Sequence, residues 1–187
     1  MKAARALGVG AVIAAGAAAT AIGAKLHRHW GASAEEAAGP LPGDNLVGQN
    51  ITFRSTRAIT IEAPPEAVWP WLVQMGLGRG GWYSYDKLLG LISPMPTTSA
   101  SEIKAEFQDL KVADPVELIL SMAFTVAELV PNEALVLFAE HRMPVQPWTK
   151  SWAFVLKPLP GGATRLLVRE TSHWDSRRVG VATAVTG

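Results

Sequence analysis

The chain has 187 residues and a mass of 19.9 kDa, enough for one ordinary domain and an appendage. With 49% hydrophobic and 18% charged residues it is neither disordered nor supercharged, and having no cysteine it has no disulfide, thiolate catalysis or Cys-ligated zinc. The net charge of +1 is unevenly placed: residues 1–30 carry Lys2, Arg5, Lys25 and Arg28 with no acid, while 13 basic and 16 acidic side chains follow, a poor balance for a nucleic-acid partner.

The uncharged run at 6–24 comes first. As a helix it would span roughly 28 Å, close to the hydrocarbon thickness of a bilayer. Thirteen of its 19 residues are Ala or Gly, so it is only weakly apolar. Two readings compete. One is a single-pass membrane anchor with a basic-aromatic exit at Lys25, His27, Arg28, His29 and Trp30. The other is a cleaved secretory signal, with Ala19, Thr20 and Ala21 as the cleavage site. The length of the run exceeds a signal core and favours the anchor. His27 and His29 lack the further ligands that a metal site needs.

Residues 31–55 mix Gly, Pro, Asn and Asp around one short acidic helical patch at Glu35 and Glu36, and read as a linker or extended arm. A domain is expected over 56–175, with 176–187 as a short remnant. Residues 56–61 alternate as a strand. Pro64 and Pro65 then start a helix to about Met75, with Val68, Leu72 and Met75 on one face. Glycines 76, 78, 80 and 81 stop it, and residues 82–89 read as a second short helix or turn. From Glu102 onward, strands are expected at 116–121, 123–130, 134–140, 150–157 and 163–171, with antiparallel connections. The order of strand, helices and many strands indicates an α+β fold.

Three motifs invite chemistry. GLGRGG at 76–81 matches G-x-G-x-x-G, but it follows a helix rather than a strand, so no cofactor is expected there. Trp69, Trp71, Trp82, Tyr83 and Tyr85 crowd into 17 residues, and they suit either an apolar pocket wall or an ordinary core. As a pocket, the candidate ligand-binding set is Trp71, Trp82, Tyr83, Tyr85 and Asp86. RETSHWD at 169–175 places Ser172, His173 and Asp175 too close in sequence to converge as a triad, and reads as a solvated strand end. Glu140, His141 and Arg142 read the same way.

The string TRAITIEAPPEAVWPWLVQMGLGRGGWYSYD at 56–86 resembles the opening of bacterial SRPBCC proteins, the START-like or polyketide-cyclase and lipid-transport superfamily, in a membrane-linked subgroup. SWAFVLKPLPGGATRLLVRE at 151–170 looks like that group's final strand pair. LKVADP at 110–115 and PGD at 42–44 are also similar to its pattern. The resemblance spans residues 30–175. It implies an α+β helix-grip fold, a curved antiparallel sheet around a hydrophobic cavity with short helices after the first strand. The family's long C-terminal helix is reduced here to residues 176–187, too short to cover a sheet. The open face is then expected to be covered by a partner or by self-association. Functionally the resemblance implies a membrane-anchored module binding an apolar small molecule or lipid. It carries over no catalytic residue. The alternatives are a cyclase or hydrolase using Asp86, Tyr83 or His141, and a truncated remnant without function.

Overall fold

The computed structural model describes residues 28–83, 99–119, 122–141 and 147–174. Strands dominate them: β1 Phe53–Ile61, β2 Pro115–Ile119, β3 Met122–Val130, β4 Ala134–His141, β5 Trp148–Pro158 and β6 Thr164–Trp174. All six join one antiparallel sheet in the order β1-β6-β5-β4-β3-β2, with a register shift between Glu117 and Ile119 and another between Val126 and Glu128. The helices described are short: α1 Ala34–Ala38, α2 Pro65–Val73 and a single 3-10 turn, Ala105–Phe107.

This corrects the expected α+β helix-grip architecture. The described residues form mostly sheet with few helices, and none of those helices is long and apolar enough to cross a membrane. Residues 6–24, expected to span one, lie outside the described residues, as do 175–187. Of the second short helix or turn expected at 82–89, only Trp82 and Tyr83 lie within the described residues. Gly76 and Gly81 exchange two backbone hydrogen bonds of 3.0 Å, and this turn sends the chain back along the sheet edge. Trp82 is not helical and Tyr83 takes a φ of 49°, so no helix begins there.

Alternation along the strands gives the sheet two apolar faces. On one, α2 packs Val68, Leu72 and Val73 against Phe124, Val126, Leu135, Leu137, Phe154 and Leu156. We call this the helix face. Pro65 at the first helical position needs no N–H partner, and the helix ends at Gln74, whose side chain is fully buried. Gln74 Oε1 accepts from Lys104 N at 3.0 Å and its Nε2 donates to Glu102 O at 3.2 Å, tying the helix end to the segment before β2.

Residues 29–47 cover the other, arm face. Ala32, Leu41 and Leu46 pack on Ala58, Val136, Ala153, Val155 and Leu167. Ala58 N donates to Trp30 O at 3.1 Å, which occupies part of the open edge of β1. Arg169, on β6, is 1% exposed and uses all five N–H donors under this arm. It donates to Thr56 Oγ1, Gly39 O, Asp44 Oδ2, Glu36 O and Ala37 O, at 2.7–3.0 Å. The PGD motif is part of the same seal. Asp44 meets Arg169, and at Gly43 (φ 81°) a Cβ would lie 2.6 Å from Val136 Cγ1.

Candidate functional site

Among the described residues, the helix face beyond α2 is open. A groove of about 540 Å³ lies there, lined by Phe53, Met122, Trp148, Lys150, Glu170, Ser172 and Trp174. These come from β1, β3, β5 and β6, and strand pairing brings them together. Trp148 is opposite Trp174, Lys150 is opposite Ser172, and Ser172 is opposite Phe53 across the next ladder. Lys150 and Glu170 are therefore diagonal neighbours, and their ion pair closes at 2.8 Å. Their side chains keep 32% and 27% of their exposure, so the pair sits half-buried in the groove wall.

Ser172 is 4% exposed, and its hydroxyl is buried without a hydrogen-bond partner. A buried hydroxyl left unmatched costs about 1–3 kcal/mol, which makes this one a polar group awaiting a partner. No base reaches Ser172 Oγ among the described residues, so it presents hydrogen bonding rather than an activated nucleophile. His173 points to the arm face, where its Nδ1 lies 3.3 Å from Thr52 Oγ1, and Asp175 lies outside the described residues. The solvated reading of 169–175 is thus corrected: Arg169, Thr171 and Ser172 are all buried.

The aromatic residues singled out by sequence separate into two places. Trp71 and Tyr83 meet edge to face at 5.7 Å beside the glycine bend. Burial raises the pKa of the Tyr83 hydroxyl, against the opposing effect of the 2.6 Å hydrogen bond it accepts from Gln74 Nε2. Trp82 instead stacks on Trp152 at 5.2 Å, and its Nε1 donates to Glu117 O at 3.2 Å. Trp152 is opposite Glu170, so this stack forms the boundary between the core and the groove without lining the groove. Tyr85 and Asp86 lie outside the described residues. His141 is exposed and stacks on Trp148 at 5.5 Å.

The glycine bend offers no phosphate cradle. Its N–H groups at Gly76, Leu77, Arg79, Gly80 and Gly81 all donate to backbone carbonyls. No group of three or more metal-ligating side chains occurs among the described residues.

Sequence reasoning missed the groove because its residues are spread from 53 to 174. A signal was present in the strands themselves. WTKSW at 148–152 and ETSHW at 170–174 each put aromatic and polar groups on alternate positions of one face.

No protein-family model matches the chain, and no curated protein sequence does either. Among solved structures it is similar to protein MLL2253 from Mesorhizobium loti, at 19% identity over 69% of this chain and 85% of that one, with a TM-score of 0.36. It is also similar to the Mll3558 protein from Rhizobium loti, at 16% identity over 71% and 90%, with a TM-score of 0.38. Likenesses at these scores bear no argument about fold or function.

Proposed function

We propose that the protein is a binding module for an apolar small molecule, held in the helix-face groove. The observation that supports this is the groove itself. Its volume of about 540 Å³ falls within the range of small-molecule sites, and Phe53, Met122, Trp148 and Trp174 supply its apolar lining. A few polar groups within an apolar wall are the usual means of orienting such a ligand. The apolar ligand class implied by the SRPBCC resemblance agrees with this reading, which rests on the groove alone. The run at 6–24 is proposed, from its sequence, to hold the module at a membrane; an intact mass starting near Ile22 would instead reveal a cleaved signal.

Titration of the full chain with N-phenyl-1-naphthylamine, a neutral apolar fluorophore, tests the groove. Saturable one-to-one binding is expected, weakened at least about tenfold by Met122→Arg, which puts a charge into the apolar wall. A thermal melt of the variant checks that it folds. Equal binding by a folded Met122→Arg protein would overturn the proposal.

A further inference from the structure

The polar groups of the groove are chemically specific, and they bear on which apolar ligand it takes. Lys150 only donates, ionised Glu170 only accepts, and the Ser172 hydroxyl does both. Lys150 and Glu170 are the charged side chains of the lining and neutralise each other at 2.8 Å. An anionic head would have to compete with Glu170 for Lys150, and a cationic head with Lys150 for Glu170. Either exchange leaves one charge of a partly buried pair without its partner, which is costly. A neutral head that both donates and accepts leaves the pair intact. It can donate to Glu170, accept from Lys150, and satisfy the buried hydroxyl of Ser172.

We infer that the groove selects amphipathic molecules whose polar end is a neutral hydrogen-bonding group, such as an alcohol, seated at Lys150, Glu170 and Ser172. The inference rests on the groove being the binding site. Trp148 and Trp174 are opposite each other beside that polar cluster and receive the apolar body. A further cation, Arg28, stands over the Phe53 ring at 5.1 Å, so an anionic head is the competitor that the test must include.

The test is displacement of bound N-phenyl-1-naphthylamine from the full chain by three probes of equal tail: dodecan-1-ol, dodecanoate and dodecylammonium. The alcohol is expected to displace at a concentration about tenfold lower than either ion. Ser172→Ala removes an unmatched hydroxyl and should leave folding intact, while raising the concentration of alcohol needed by about five- to tenfold. Glu170→Gln keeps the shape but frees the charge of Lys150, and should turn the preference towards dodecanoate. Dodecanoate displacing as well as the alcohol from the unaltered chain would overturn the inference and leave the apolar reading in place. An alcohol unaffected by Ser172→Ala would do the same. Absence of saturable fluorophore binding would overturn both.

Discussion

Arg169 is the residue on which the arm face depends. Four of its five hydrogen bonds reach three successive parts of the arm, Glu36 and Ala37, Gly39, and Asp44, and the fifth holds Thr56 on β1. Burial lowers its pKa from the ordinary arginine value, and Asp44 opposes that shift. Asp44→Asn would leave a fully buried guanidinium without its counter-charge, so a loss of about 3 kcal/mol is expected in chemical denaturation. A loss within experimental error would mean that the carbonyls alone hold the cation. Sequence could not place Arg169, because its partners, three backbone carbonyls and the side chains of Thr56 and Asp44, lie more than a hundred residues away. Neighbouring Glu36 adds a pH dependence. The hydrogen-bonded Arg165 guanidinium lowers its pKa from 4.5 to about 2, with help from the bond that Ser33 N donates to its carboxylate. A carboxyl depressed on folding stabilises the protein above about pH 4.5, and that contribution is lost as the pH falls towards about 2. Thermal melts of the native chain and Glu36→Gln should differ near neutral pH and converge through that interval. A constant difference across it would show that Glu36 does not titrate with folding.

Among the elements, the strands were the most legible. Each of the six was recovered from alternation and turn residues to within a few positions, and their antiparallel pairing followed from short connections. Of the helices, α2 was legible from Pro64 and Pro65, and it ends at Val73, just short of the expected Met75. Within 31–55, α1 coincides with the acidic helical patch at Glu35 and Glu36, a five-residue helix set by the capping box of Ser33 and Glu36. The glycine bend was legible as a bend but not in its direction. It docks on the edge of β2, where Leu77 N donates to Glu117 O at 2.8 Å. At Gly80 a Cβ would lie 2.8 Å from Gln74 O and 2.9 Å from the Tyr83 hydroxyl. Gly80→Ala should therefore destabilise the chain by about 1–3 kcal/mol, since backbone there cannot give way cheaply. An unchanged melting temperature would show that the bend is looser than its contacts imply. Trp82→Ala, which removes the stack on Trp152 from the core boundary, is expected to lower stability by about 3 kcal/mol.

At the scale of the molecule, one sheet serves two purposes. Its arm face is sealed by residues 29–47 through apolar contacts and arginine bonds. Among the described residues, its helix face is covered by α2 over one part and opens into the groove over another. Sequence analysis located the aromatic residues of 69–85 but not the second aromatic group at Trp148, Trp152 and Trp174. Only strand register brings those into one place. The seven tryptophans make the difference measurable. Their indole N–H signals can be assigned by single substitutions and followed by NMR while N-phenyl-1-naphthylamine is added to the full chain. Saturable shifts centred on Trp148 and Trp174, with Trp69 and Trp71 unmoved, are expected if the groove binds the apolar molecule. Shifts centred on Trp69 and Trp71, with Trp148 and Trp174 unmoved, would contradict it and return the site to the first helix and the glycine bend.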